Sequence, residues 1–181
     1  LQHNLSSAVH VLLAARQAGC ERVVFTGSME EPREQHGETI AGSPYAVSKW
    51  GATAYARMFH ALYGLPVCVL RVFMTYGPGQ RDIRKLVPHV ILSALRGEPP
   101  ELGSGQRQVD WIYVDDVVAA IEAACGPSRA LGQVLDVGSG TLASIREVAE
   151  IIAGAIEPKV GLRFGALEDR PLERVAIADT A

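Results

Sequence analysis

The stretch Ser43-Pro44-Tyr45-Ala46-Val47-Ser48-Lys49-Trp50 sets a phenol and an ammonium four residues apart. Ser43 is a good N-cap and Pro44 suits the first helical position, where a missing N–H costs nothing, so a helix starts here. Positions i and i+4 of a helix share a face, and the Tyr45 phenol and Lys49 ammonium can converge on one bound group. A free phenol titrates near pH ~10 and is a poor base at neutrality. A nearby positive charge favours the phenolate and brings it toward the range of a working general acid–base. Taken alone, the spacing suits a packed tyrosine beside a solvated lysine just as well.

Such a pair must be held by the elements around it, and helix and strand signals alternate along the chain. Leu5 to Ala18 has helical periodicity and stops at Gly19; Arg22 to Phe25 is a short β-rich run ending in Thr26-Gly27-Ser28. The helix from Pro44 reaches about Leu62 and ends at Gly64. The apolar run Val67 to Phe73 then suits a strand buried on both faces, the mark of a parallel sheet. After a break at Tyr76-Gly77-Pro78-Gly79, Leu86 to Leu95 reads as helix, Val109 to Val114 as strand and Asp115 to Cys125 as helix. Val134 to Val137 is a further strand, Ser144 to Ile156 a helix in which Glu147 completes a capping box with Ser144, and Val160 to Phe164 a last strand. The alternation predicts an α/β fold with right-handed crossovers.

Composition narrows the function classes. The 181 residues are 48% hydrophobic and 20% charged, with a formal net charge of -3, as in an ordinary soluble chain. No basic run accompanies the few scattered aromatics, which argues against a nucleic-acid partner. No apolar run approaches the roughly 18 residues of a membrane span, and the stretch Val9 to Ala15 lies within an amphipathic helix, so no membrane association and a cytoplasmic location are expected. Cys20, Cys68 and Cys125 are odd in number and never in C-x-x-C, which predicts reduced, buried thiols; the histidines show no ligand spacing, so no metal is expected.

The chain has no initiator methionine and begins at or just before a helix, so it reads as the later part of a longer one. A doubly wound domain carries its G-x-G-x-x-G turn after the first strand, and that turn is absent from this sequence. "GPGQ", "GSGQ" and "GSGT" read as plain turns.

Six motifs in order carry a resemblance: "NLSSAVHVLLAARQAG" from Asn4, "RVVFTGS" ending at Ser28, "SPYAVSK", "LRVFMTYGPGQ" from Leu70, "VDWIYVDDVVAA" from Val109 and "LDVGSG" from Leu135. Together they resemble the central and C-terminal parts of an extended short-chain dehydrogenase/reductase of the NAD-dependent epimerase/dehydratase family, which modifies nucleotide sugars. The resemblance implies a Rossmann-like doubly wound parallel sheet lacking its N-terminal part, with a small C-terminal substrate-binding portion. Residues 1–80 would be the later half of the dinucleotide-binding domain. Residues 81–181 would be mostly the substrate portion, with a strand and helix returning to the sheet. It further implies NAD or NADP as cofactor, a nucleotide sugar as substrate and a homodimer built on the helices from Leu5 and Pro44, through an outer strip including Val11, Ala54 or Met58.

By that resemblance Tyr45 is the general acid–base, Lys49 holds the nicotinamide ribose and lowers the Tyr45 pKa, and Ser28 hydrogen-bonds the same sugar oxygen. Asn4, Thr26 and the backbone at Phe73 would line the cofactor; for Asn4 a helix cap is the alternative. Glu30, Met74, Val87, Arg107 and Arg170 fall along the substrate wall. Several positions depart from the family pattern. Members often have asparagine at Met74, arginine at Val109 and a further arginine near Ala166, contacts for the sugar diphosphate that Arg107 and Arg170 would have to supply here. Where 4,6-dehydratases show Asp-Glu after the serine, this chain has Met29-Glu30, and Glu30 is open to either a second acid–base or a solvated loop. The tail "DRPLERV" is similar to 4-ketoreductases and epimerases. The leading expectation is therefore a 4-epimerase or 4-ketoreductase. A superfamily oxidoreductase on a non-sugar alcohol or ketone, and a catalytically silent NAD(P)-binding regulator, are the alternatives.

Overall fold

The structure, a computed structural model, describes residues 2–33, 37, 40–126, 129–157, 159–169 and 174–180. A π-helical turn, Gln2–Ser6, runs into α1 (Ser7–Gln17), followed by β1 (Val23–Ser28), α2 (Pro44–Tyr63), β2 (Val67–Val72) and β3 (Met74–Tyr76). Then come α3 (Leu86–Leu95), β4 (Gln108–Tyr113), α4 (Val114–Cys125), β5 (Val134–Val137), β6 (Leu142–Ser144) and α5 (Ile145–Gly154).

Two small sheets result. In the first, β2 lies between β1 and β5 with all three parallel, Ser28 opposite Val72 and Val72 opposite Val137. Helices cover both faces, and the central strand shows why: Val67 and Val69 enter the cluster with Leu12 of α1 and Phe59 of α2, while Cys68 and Leu70 enter that with Val117 and Ala124 of α4. Each such aliphatic side chain contributes about 1.5–3 kcal/mol on burial, and a strand apolar on both faces is stable only in this sandwich. In the second sheet β4 pairs parallel with β3 and antiparallel with β6; α3 and α5 pack on one another around Val90, Leu102 and Ala149. This is the Rossmann-like α/β architecture expected.

The catalytic-type helix α2 is set by local chemistry. Ser43 Oγ accepts from the Ala46 N–H at 3.0 Å with Pro44 next to it, and Gly64 closes the other end at φ 66°, a left-handed cap that glycine takes without a Cβ penalty. The capping box of α5 is also present, with Ser144 and Glu147 satisfying each other's backbone N–H groups.

Other expectations need correction. β1 begins at Val23 and takes in Thr26-Gly27-Ser28, which therefore end a strand rather than follow one. Met74–Tyr76 and Leu142–Ser144 are strands, since three-residue edges bounded by turns carry too short a pattern to read. Residues 160–164 form no strand: a single bridge joins Glu101 and Arg163. Arg163 exchanges its bonds with the Pro100 carbonyl and the Leu102 N–H, and Pro99 and Pro100 have no N–H to extend the ladder. Helix α5 stops at Gly154, two residues short of Ile156. Of the three free cysteines only Cys68 is buried; Cys20 and Cys125 are exposed.

Candidate active site

Ser28 ends β1 at the carboxyl edge of the parallel sheet, where open α/β sheets bind ligands. Helix α2 passes over that edge, so its first turns bring Tyr45 and Lys49 beside Ser28. Ser28 is buried; its Oγ accepts from the Glu30 N–H at 3.3 Å, and its hydroxyl lies near enough to the Tyr45 phenol to favour the ionised form. Tyr45 is 45% exposed on the rim of a cavity of about 570 Å³ that Ser28, Glu30 and Met74 also line.

Lys49 does not act on Tyr45 as the spacing suggested. Its Nζ donates to the Thr26 carbonyl at 2.8 Å, and its charge is answered by Glu31, which offsets part of the lowering that burial imposes on the ammonium. Burial pushes the Tyr45 phenol above its ordinary value, the Ser28 hydrogen bond opposes this, and the Glu30 and Glu31 carboxylates add to the rise. Without a bound cation, then, Tyr45 is held as a proton donor. The expected depression by Lys49 is absent because the ammonium is turned to the strand backbone.

Asn4 neither caps α1 nor stands alone. Its Nδ2 donates to Ser48 Oγ at 3.0 Å, and Ser48 Oγ–H donates to the Tyr45 carbonyl at 2.8 Å, so the π-helical turn is tied to the first turn of α2. π-helical turns recur at functional sites because they displace one residue from the regular ladder. Phe73 puts its ring into the core and its backbone along the cavity. Thr26 is exposed at the strand end.

The substrate side is mixed. Glu30 borders the cavity and accepts from Ser43 Oγ–H at 3.3 Å. Met29 packs into the core cluster of β2 and α4. A second cavity of about 520 Å³ holds Val87 and Trp111 in its lining, and Met74, Thr75, Gln80, Lys85 and Arg107 line both cavities, forming the neck between them. Val109 is fully buried in the core, away from both cavities. Arg170 lies outside the described residues.

Sequence reasoning missed four participants. Gln80 closes the "LRVFMTYGPGQ" motif but carried no expected role, Lys85 reaches the neck from a loop without a motif, and Arg174 reaches the first cavity from a segment with no periodicity. Glu31 is the fourth: only 1% exposed, it accepts from the Ser28 N–H at 2.7 Å. Two adjacent glutamates after a strand give no signal as to which one turns inward.

The residues fit the nicotinamide end of a dinucleotide site. A phenol proton donor, a serine hydroxyl and a half-buried ammonium converge at one strand edge, beside an open cavity. The Epimerase family model, described as the NAD dependent epimerase/dehydratase family, matches residues 1–138. The UDP-glucose 4-epimerase of Mycolicibacterium smegmatis is 33% identical over 164 residues, covering 84% of this chain and 52% of its own length. The epimerase Mth375 of Methanothermobacter thermautotrophicus matches in structure with a TM-score of 0.88 at 28% identity, over 99% of this chain and 57% of that one. DesIV, a dTDP-glucose 4,6-dehydratase from Streptomyces venezuelae solved with NAD bound, matches with a TM-score of 0.82 at 26% identity, over 97% and 56% respectively. The chain thus spans about half the length of the relatives it matches.

Proposed function

This chain belongs to the NAD dependent epimerase/dehydratase family, and from that premise we propose that it is the catalytic and substrate-binding part of an NAD(P)-dependent nucleotide-sugar 4-epimerase or 4-ketoreductase. When bound, the nicotinamide takes or gives the hydride at the sugar ring carbon. Tyr45 exchanges the proton with the sugar oxygen, Ser28 steadies that oxygen through its hydroxyl, and Lys49 holds the cofactor ribose from the Thr26 edge. The Tyr45 phenol, held above its ordinary value by burial, would donate its proton, and would accept one only with a positive charge close by. Asn4, Thr26 and the Phe73 backbone line the cofactor side. The Asn4–Ser48 bond keeps the first turn of α2 in place beneath it.

The observation that carries this reading is the pair of joined cavities. The first, with Ser28 and Tyr45 on its wall, would take the sugar and the second the nucleoside; Lys85 and Arg107, which line both, stand where a diphosphate would lie. They take the place of the family contacts missing at Met74 and Val109. Dehydration is disfavoured because elimination needs an acid and a base at neighbouring carbons. Met29 cannot titrate, and its side chain is in the core.

The test is an assay of the full-length enzyme with a nucleotide-linked 4-keto-6-deoxyhexose and reduced cofactor, then with the corresponding hydroxy sugar. A ketoreductase consumes one reduced cofactor per product; an epimerase inverts C4 with no net absorbance change. Conversion of a nucleotide-hexose to its 4-keto-6-deoxy form at a dehydratase-like rate would refute the assignment. A second copy is proposed as the partner on the outer strip of α1 and α2, where Val11 is 55% exposed and Ala54 is exposed, while Met58 packs partly against the core. Monomeric sedimentation of the full-length protein at micromolar concentration would count against it.

A further inference from the structure

Glu31 stands out among the buried side chains. Its carboxyl is inside the protein, behind the catalytic wall, and only one oxygen is satisfied: Oε1 accepts from the Ser28 N–H at 2.7 Å, while Oε2 has no hydrogen-bond partner. The Thr53 hydroxyl of α2 stands beside it, close enough to favour the carboxylate but outside hydrogen-bond geometry. Space for the group is made by Gly27, where a Cβ would come within 2.7 Å of Oε1. A half-satisfied buried carboxylate costs stability, and an apolar side chain of similar size at the same place would not. The neighbouring Glu30 bears no such cost, since it borders the open cavity.

The charged groups facing this carboxyl come from each element packed on it. Lys49 and the Tyr45 phenol lie on α2, and Arg71 lies on β2, its own Nη1 donating to Asp136 of β5 at 3.0 Å. Glu30 is the other carboxylate near Tyr45. The carboxyl thus sits directly under the backbone of one member of the Ser28–Tyr45–Lys49 set and within electrostatic reach of the other two.

Resting on the hydride-transfer reading, we propose that Glu31 is a positioning residue of the active site: its buried carboxylate clamps Ser28 and supplies the negative charge against which Tyr45 and Lys49 work. The clamp fixes the Ser28 hydroxyl beside the phenol. The charge adds to the burial and the Glu30 carboxylate that keep Tyr45 a proton donor until a cation occupies the site, and it offsets part of the lowering that burial imposes on Lys49. Glu31 itself is pushed up by burial, against the pull of Thr53, Ser28, Arg71 and Lys49.

Two variants of the full-length enzyme separate the clamp from the charge. Glu31→Gln removes the charge and keeps an acceptor for the Ser28 N–H; Glu31→Met removes both with little change of volume. Tyrosinate absorbance, with Tyr45→Phe identifying the Tyr45 component, is read across pH without any turnover. In both variants the Tyr45 transition should move to lower pH by about half a unit or more, because a nearby negative charge has gone. The limb of the pH–rate profile for sugar oxidation should move with it. The plateau kcat of Glu31→Met should fall roughly tenfold or more below that of Glu31→Gln, as Ser28 loses its anchor. An unmoved Tyr45 transition in both variants overturns the charge role, and equal plateaus overturn the clamp. If the wild-type enzyme transfers no hydride, the functional reading fails, while the titration still decides the charge role.

Discussion

The two walls of the site are built differently. On one, Ser28, Tyr45 and Lys49 come from a strand end and the first turns of one helix, locked by direct hydrogen bonds: the Ser43 cap and Glu31 on Ser28 within three residues, and Asn4 on Ser48 and Lys49 on Thr26 between elements. On the other, Met74, Lys85 and Arg107 come from an edge strand, a loop and the approach to β4, held through long-range packing. Asp110, fully buried in β4, anchors that side: its two oxygens accept from the Ser139 N–H and hydroxyl and from the Gly140 and Ala178 N–H groups. In the proposed function, chemistry that tolerates little misplacement falls to the hydrogen-bonded wall, and recognition to the one where loops can vary.

The largest effect should come from the chemical wall. Tyr45→Phe in the full-length enzyme is expected to lower kcat by roughly 10³-fold or more, since general acid–base catalysis contributes about that much. The melting temperature should stay nearly unchanged, because Tyr45 is half-exposed and its ring is kept. Near-normal turnover would break the division between the walls at its first step.

The counterpart on the recognition side is a loss of stability. Asp110→Ala removes the acceptor of three backbone N–H groups, of which that of Ala178 is buried, and should cost about 2 kcal/mol or more in denaturant unfolding. A midpoint within error of wild type would mean that β4 and the segment at Ala178 are held by something else.

How much of this was legible follows the same division. The helix of Tyr45 and Lys49 was readable because Ser43, Pro44 and Gly64 are local signals, and β2 because a strand buried on both faces leaves an unbroken apolar run. β3 and β6 were not, since three residues paired to distant partners leave no period. The bridge at Arg163 failed to become a strand because of prolines in the segment opposite, some sixty residues away in sequence. Within the site, the spacing of Tyr45 and Lys49 places both on the first turns of one helix, while the groups that shift Tyr45 lie outside that spacing. Burial is the largest influence on Tyr45 and the Glu30 and Glu31 carboxylates add to it; the inward turn of Glu31 depends on the room left at Gly27, which the run of two glutamates does not signal.

Lys85→Ala and Arg107→Ala sharpen the contrast between binding and chemistry. Each should raise KM for the nucleotide sugar roughly tenfold, the worth of a charge-assisted hydrogen bond, with kcat changed far less. Initial-rate kinetics on the full-length enzyme check this, and a loss mainly in kcat would move these residues to the chemical wall.

The smallest effect compares the two serine caps. Ser43 and Ser144 each accept from a first-turn N–H, of Ala46 and Glu147 respectively, at 3.0 and 3.1 Å. Replacing either by alanine should cost about 1 kcal/mol of stability. Their consequences for turnover should differ. Tyr45 sits in the first turn that Ser43 closes, and Ser43 also donates to Glu30, so its loss loosens the phenol relative to Ser28. Helix α5 carries no reacting group, and its cap is repeated by the return bond from the Ser144 N–H to Glu147. Ser43→Ala should therefore lower kcat several-fold more than Ser144→Ala does at equal loss of stability. Equal kcat in the two variants would show that the Asn4–Ser48 tie alone holds Tyr45, and that the cap serves the helix but not the chemistry.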